Sequence, residues 1–131
     1  MKTPVSFELA KLLKEKEYKD KNMLGTVRLS EPEFYDPNGI IHNIKDIFEE
    51  KDYKIEDCFN APTIAEVVMW LYEKHEIWIG VICDVGNDLL FTFKIYSTKI
   101  GEERCIVNGN MYESPIEAYE AAIEYTLKNL L

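Results

Sequence analysis

The chain is poor in the residues that usually mark catalytic and metal-binding sites. Its 131 residues include only two histidines, three cysteines and six glycines. It contains no phosphate-binding loop, dinucleotide fingerprint, G-x-S-x-G or H-E-x-x-H sequence. It also lacks the C-x-x-C and H-x-x-H spacings that are typical of a zinc site. The sequence therefore predicts no catalytic, cofactor-binding or metal-binding residues, and no cofactor.

The cysteine content and the lack of long apolar runs indicate in which cellular compartment the protein is expected. Cys58, Cys83 and Cys105 are an odd number without close spacing, whereas a disulfide framework needs paired cysteines. We therefore expect reduced, buried thiols. No signal-peptide pattern is visible at the N-terminus, and the longest apolar run, residues 77–85, is well short of the roughly 20 residues that span a bilayer. These features favour a cytoplasmic protein that does not associate with a membrane.

Basic residues are scarce as well. Fifteen lysines and arginines face 24 aspartates and glutamates, which gives a net charge of −9. Direct nucleic-acid binding is not expected, because contacts to phosphates need the opposite sign. At 47% hydrophobic and 12% aromatic residues, the chain can bury a core, so disorder is not expected. Its length fits a single domain over residues 1–131.

Three helices are predicted. The first follows Ser6 and has apolar residues at helical spacing. The second and third each begin with a hydroxyl residue that is followed three positions later by glutamate, at Thr63 and Ser114. This spacing is typical of a capping box. We expect the second helix to end near His75 and the third near Leu130.

The segment between the second and third helices alternates apolar and polar residues. This alternation predicts strands at residues 77–84 and 89–96, and a third strand is predicted at 104–107. Asn108-Gly109 is the strongest short hairpin signal in the chain. We therefore expect the chain to reverse there, with residues 110–112 pairing back.

Residues 22–59 have a weaker pattern, apart from one turn. The sequence Asp36-Pro37-Asn38-Gly39 predicts a turn that joins residues 33–35 to residues 40–42. Together the elements predict an α+β domain with three main helices packed on an antiparallel sheet, in the order roughly α-β-β-α-β-β-β-α. A turn is predicted at 86–88, and weaker signals indicate a strand at 26–29 and a short helix over 44–48.

The two histidines are most simply structural. His75 ends the second helix, where a protonated imidazole is favourable to the helix dipole, and His42 is expected to be a surface strand residue. A cysteine nucleophile would need one of these histidines close by and a third group to orient it. No local motif suggests that arrangement.

Two surfaces are candidates for interaction. Met69 and Trp70 flank the polar side of the second helix, and the sequence leaves open whether they are exposed or covered within the monomer. The third helix has an apolar surface wide enough to need two neighbours, either the sheet with another helix or the sheet with a partner subunit. Its acidic strip is normally a solvent face, with a docking face for a basic partner as the alternative. The strip comprises Glu117, Glu120 and Glu124.

Residues 6–16, 61–75, 77–79 and 114–130 resemble a family of small uncharacterised proteins of gut bacteria and their phages or prophages. The resemblance rests mainly on the segments APTIAEVVMWLYEKH and SPIEAYEAAIEYTLKNL. It implies a constant helical frame with variable strands and loops, together with a mobile-element context. It implies no activity. Glu76 stands where that family is expected to have glycine.

A well-specified fold without a chemical constellation favours a small non-catalytic binding or interaction module. Its partner would be another protein or a second copy of the chain. One alternative is a small enzyme with cysteine or carboxylate chemistry. Another is an acidic mimic of nucleic acid that inhibits a host protein.

Overall fold

A computed structural model describes the chain in five segments, residues 3–18, 33–43, 53–85, 89–99 and 104–131. In these segments the elements confirm the predicted α+β class and, roughly, the predicted order. The helices are α1 (Phe7–Glu15), α2 (Ile64–His75) and α3 (Pro115–Asn129). The strands are β1 (Glu33–Tyr35), β2 (Ile41–Asn43), β3 (Phe59–Asn60), β4 (Ile77–Val85), β5 (Leu89–Ser97) and β6 (Arg104–Tyr112).

The described strands form two antiparallel sheets, where the sequence predicted one. The β2-β1-β3 sheet belongs to an N-terminal unit, Pro4–Thr63, and the β4-β5-β6 sheet to a C-terminal unit that includes Ile64–Leu131. Alternation identifies strands but not which strands pair, so the sequence could not separate the sheets. The strand predicted at 26–29, the helix at 44–48 and the turn at 86–88 lie outside the described residues. The single domain stays a prediction.

In the N-terminal unit, α1 begins where the sequence predicts. The Ser6 hydroxyl accepts a hydrogen bond from the Leu9 amide at 3.3 Å, which caps the first turn. Leu9, Ala10 and Leu13 are buried, as their helical spacing predicts. β1 and β2 pair as an antiparallel hairpin through the predicted turn at Asp36–Gly39.

In the C-terminal unit, α2 and α3 pack against the β4-β5-β6 sheet and against each other. The Ser114 hydroxyl accepts from the Glu117 amide at 3.1 Å and starts α3 as predicted. Three strands and α2 therefore supply the intramolecular neighbours expected for the apolar surface of α3. No helix among the described residues is long and apolar enough to cross a membrane. Fully buried side chains of this unit include Ile64, Val67, Leu71, Ile79, Ile95, Ile123 and Leu127.

The hairpin predicted at Asn108-Gly109 is wrong, because β6 continues through this dipeptide. Gly109 and Asn110 stand opposite the single residue Phe93 of β5, which makes a β-bulge. A Cβ atom at Gly109 would lie 2.4 Å from the Phe93 ring, so only glycine admits the ring there. Asn-Gly favours a tight turn between strands, but a glycine inside a strand marks a bulge or a close approach.

Two helices are followed by a glutamate in the left-handed backbone region, where glycine is the usual residue. Glu17 (φ +60°) follows α1, and the Tyr18 amide donates to the Leu13 carbonyl at 2.9 Å, which completes a Schellman motif. Glu76 (φ +56°) follows α2, and its amide donates to the Tyr72 carbonyl at 3.1 Å. Glu76 is also the position at which the family resemblance anticipates glycine.

Replacing Glu76 with glycine should stabilise the protein. The left-handed conformation costs a non-glycine residue about 1–2 kcal/mol, and glycine avoids this cost. Glycine loses more backbone entropy on folding, but by a smaller amount. We therefore expect a net gain in stability of about 1 kcal/mol. Urea unfolding measures the change. The matched control is Glu73→Gly within α2, which should lose about 1 kcal/mol. A loss of stability in Glu76→Gly would contradict this explanation of the helix end.

Candidate functional site

The interaction residues predicted on α2 separate in the structure. Met69 exposes 44% of its surface, whereas Trp70 exposes only 9%. The Trp70 indole packs edge-to-face on the His75 imidazole, with ring centroids 4.9 Å apart. The sequence left open whether these two side chains are exposed or covered. Met69 is exposed and Trp70 is buried. The position of Trp70 flanks the polar side but also borders the buried face next to Leu71, and its side chain belongs to the core.

An exposed aromatic pair nevertheless lies close to Met69 in sequence. Tyr72 exposes 45% and Trp78 exposes 37% of its surface, and their rings meet edge-to-face with centroids 5.6 Å apart. Met69, Tyr72 and Trp78 are called the α2 aromatic surface below. Sequence reasoning missed Tyr72 and Trp78, although Tyr72 lies three residues after Met69 on the same side of the helix.

The backbone geometry of β4 places Trp78 outside. Ile77 and Ile79 are buried, and successive strand side chains point to opposite faces, so Trp78 lies on the face away from the buried one. Trp78 pairs with Tyr96 across the strands. Gly80 lies two residues after Trp78 on the same face of the strand. A Cβ atom added at Gly80 would lie 3.7 Å from the Tyr96 ring.

Exposed charged residues lie next to Tyr72 in sequence. Glu73 directly follows Tyr72, and Glu76 lies four residues after it; both are exposed, as is Lys74. Glu76 is held in place because its carbonyl accepts from the Thr98 amide and the Thr98 hydroxyl, each at 2.8 Å. These bonds fix the backbone of Glu76, and its side chain is exposed.

The acidic strip of α3 is largely engaged within the helix. The Glu117 carboxylate accepts from the Glu113 amide at 3.3 Å, which extends the N-terminal cap. Glu124 forms an ion pair with Lys128, one turn later, at 2.6 Å. Glu120 is half-buried. Glu117 thus serves helix capping and Glu124 an i,i+4 ion pair. These local roles give no support to the alternative of an acidic mimic with regularly spaced charges.

His42 is more than the surface strand residue that the sequence predicts. Its Nε2 lies 2.9 Å from Oδ2 of Asp36, and its ring stacks on Phe34 with centroids 5.3 Å apart. The other oxygen of Asp36 accepts from the Asn38 amide at 2.9 Å and the Ile40 amide at 3.0 Å. Asp36 is buried, so these bonds replace the water that it loses. The sequence shows the turn, but only the strand pairing brings His42 back to it.

Burial by itself would raise the pKa of Asp36, but the hydrogen bond from His42 and those from the Ile40 and Asn38 amides outweigh it and hold the pKa below 3.8. An aspartate with a depressed folded-state pKa binds fewer protons than in the unfolded chain. Its stabilisation is present above the unfolded-state pKa and is lost as the pH falls through the folded-state value.

Acidification below about pH 4 should therefore destabilise the protein partly through Asp36. Asp36→Asn should be less stable at neutral pH, since the amide offers a neutral acceptor, and its stability should fall less steeply in acid. Urea unfolding from pH 2 to pH 7, compared between the two proteins, measures both effects. Parallel pH profiles for Asp36→Asn and the natural protein would show that Asp36 contributes nothing to the acid transition.

His75 is half-buried at the end of α2. Burial, with the neighbouring Lys74 ammonium, lowers the pKa of His75 below 6.5. His75 ends α2 as predicted, and its burial opposes the protonated form that the helix dipole would favour. The Nε2 atom of His75 is buried and has no hydrogen-bond partner among the described residues.

The three cysteines are free, as predicted. The expected burial is wrong for Cys83 and Cys105, which are exposed, and Cys58 is only half-buried. Both exposed cysteines lie on strands at positions that α2 and α3 leave uncovered. Burial and the Asp36 carboxylate raise the pKa of the Cys58 thiol, which makes it a poorer nucleophile. Among the described residues, the cysteine hydrogen bonds go to Lys54, Val107 and Asn108 rather than to a histidine.

The described residues thus place one exposed aromatic pair, Tyr72 with Trp78, where α2 gives way to β4. Within the described segments, no group of three or more histidine, cysteine, aspartate or glutamate residues is placed to hold a metal ion. Comparison with family models, curated proteins and solved structures finds no match to the chain. The resemblance to proteins of gut bacteria and their phages stays an expectation from the sequence.

Proposed function

We propose that the protein is a non-catalytic binding module that recognises a basic, partly apolar segment of another protein through the α2 aromatic surface. The observation that carries the proposal is the exposed pair of Tyr72 and Trp78, whose rings pack on each other at 5.6 Å while remaining open to solvent. The mobile-element context implied by the resemblance extends the proposal, with a host-cell protein as the partner.

Exposed aromatic residues and methionine are the types enriched at the centres of protein interfaces. Two large rings that already hold each other need little further ordering when a partner covers them, so most of the burial energy is available for binding. Met69 adds a flexible apolar side chain that adapts to the shape of a partner. Tyr72 meets Trp78 of β4, and the three-residue spacing from Met69 to Tyr72 puts Met69 on the same side of α2.

Charge selects the class of partner. The chain carries a net charge of −9, and the exposed carboxylates of Glu73 and Glu76 stand next to the aromatic pair in sequence. An arginine of the partner can stack on a tyrosine or tryptophan ring and pair with a carboxylate at the same time. A basic segment is therefore favoured, and its binding should weaken as salt screens the charges.

Selection from a random peptide display library tests the proposal with the purified full chain as bait. We expect enriched peptides to combine arginine or lysine with apolar residues. The affinity of an enriched peptide should fall about tenfold or more in Tyr72→Ser and in Trp78→Ser, as expected for interface anchors. Leu89→Ser is the control, because it removes an apolar side chain that is 63% exposed from the same unit.

Two outcomes would contradict the proposal. Enrichment of acidic peptides would exclude a basic partner. Equal affinity of an enriched peptide for the natural protein, Tyr72→Ser and Trp78→Ser would move the binding site away from the α2 aromatic surface.

A further inference from the structure

β4 is an edge strand of its sheet. Among the described strands it pairs only with β5, along its whole length and without a register shift. The Thr98 amide donates to the Glu76 carbonyl at 2.8 Å, and this bond fixes the alternation of the antiparallel ladder. Even-numbered residues of β4 therefore direct their backbone groups toward β5, and odd-numbered residues direct theirs away from it.

The amides and carbonyls of Ile79 and Val81 consequently lie on the open side of β4. No hydrogen bond to them occurs among the residues that the structure describes. Unpaired backbone groups along an edge are a template for a further strand, and charged side chains, proline or a bulge usually block it. Residues 77–83 contain no charged residue and no proline, and β4 has no bulge. This edge is therefore open to pairing.

The side chains beside the edge suit a segment with apolar residues at alternate positions. Trp78 and Ile82 expose 37% and 43% of their surface and lie on one face of β4, with Gly80 between them. A glycine inside a strand often marks the close approach of another backbone or a ligand. Tyr72 of α2 contacts Trp78, so the edge is continuous with the α2 aromatic surface.

Charge favours a basic segment over a second copy of the chain as the added strand. An acidic residue stands near each end of β4, Glu76 before it and Asp84 close to its last residue, and both are exposed. In a second copy paired antiparallel about Gly80, Asp84 would stand opposite Glu76 of the other copy. Like charges that are directly opposite destabilise a sheet, whereas a lysine or arginine there would meet a carboxylate.

We propose that the basic, partly apolar segment binds as an added strand along β4, with every second side chain on the face of Trp78 and Ile82. Hydrogen bonds to the backbone of Ile79 and Val81 supply affinity, and the alternating side chains supply specificity. The inference rests on the proposed function and adds the conformation of the partner. Enriched peptides should have apolar residues spaced by two between basic ends, instead of the i, i+3, i+4 spacing of a helix.

An N-methyl scan of an enriched peptide tests the proposal on the natural protein. Methylation at every second position should weaken binding about tenfold or more, because it removes a donor to β4 and leaves an acceptor unpaired. Methylation at the intervening positions, whose amides face solvent, should have little effect. Hydrogen exchange followed by NMR should show new protection of the Ile79 and Val81 amides in the complex. The Gly80 and Ile82 amides, which already face β5, should show no such gain.

Ile82→Lys and Met111→Lys are a matched pair of variants. Both residues expose 43% of their surface, and both stand opposite Thr92 on the same face of the sheet, but Met111 belongs to β6. Lysine is a common block on edge strands. Ile82→Lys should therefore weaken peptide binding about tenfold, as for loss of an interface anchor, and Met111→Lys should leave it nearly unchanged.

Two results would overturn strand addition, namely equal effects of N-methylation at all positions and no gain of protection at Ile79 and Val81 in the complex. If affinity still fell in Tyr72→Ser and Trp78→Ser, the proposed function would stand and only the added strand would be wrong. Protection of Ile79 and Val81 that rises with protein concentration in the absence of peptide would identify a second copy as the occupant, which also overturns the proposal.

Discussion

Gly109→Ala should lower the free energy of unfolding by about 3 kcal/mol, the upper range for overpacking a core. The new Cβ would lie 2.4 Å from the ring of Phe93. The ring is buried, so it has little space to move away. The expected result is a large drop in the urea midpoint without a change in the fold of α3 or α2.

Gly80→Ala is the matched control, because a Cβ at Gly80 meets the Tyr96 ring at an ordinary 3.7 Å. It should be nearly neutral, within about 0.5 kcal/mol. The double variant Gly109→Ala/Phe93→Leu should lose less stability than the sum of the two single variants, since leucine leaves room for the new Cβ. Additive losses in the double variant would show that Gly109 and Phe93 are not coupled as the bulge requires.

The second large effect is expected at Leu71. This side chain is fully buried on α2, so Leu71→Ala should cost about 2–5 kcal/mol through lost transfer energy and the cavity left behind. The neighbouring Tyr72 exposes 45% of its surface, and Tyr72→Ala should cost less than about 1.5 kcal/mol, mainly the edge contact with Trp78. Urea unfolding of both variants measures the loss of stability for a buried and for an exposed side chain of the same helix.

The comparison also bears on function. If Tyr72→Ala were as destabilising as Leu71→Ala, Tyr72 would be part of the core and its loss of binding would say nothing about a docking surface. A small loss of stability with a large loss of peptide affinity is the result expected of a residue retained for recognition.

Much of the helical frame could be predicted because its signals are local. Ser6 and Ser114 cap α1 and α3 as their sequences indicate, since a cap needs only residues within one turn. The turn after Tyr35 follows from the same kind of short-range chemistry, with Asp36 accepting from the amides that follow it. Such elements depend little on the rest of the chain.

The errors share a different cause, which is packing between residues distant in sequence. The Asn108-Gly109 signal was overridden because Phe93, on another strand, occupies the space above Gly109. Trp70 is buried although its position on the helix borders the polar side. The pairing of His42 with Asp36 also depends on strand register, which a helical or strand period does not specify.

The candidate site was found only in part for the same reason. Met69 could be identified from the period of α2, whereas Trp78 belongs to β4 and meets Tyr72 only in the folded chain. A surface built from a helix and a strand has no single period in the sequence.

A methyl NMR titration tests the central claim most directly. The protein labelled with ¹³C at the methionine methyl groups is titrated with a basic peptide selected as above. Met69 and Met111 expose similar fractions, 44% and 43%, so they serve as site and control on one molecule. We predict a saturating shift of the Met69 methyl and no shift of the Met111 methyl. Saturating binding that leaves the Met69 methyl unchanged would contradict recognition through the α2 aromatic surface.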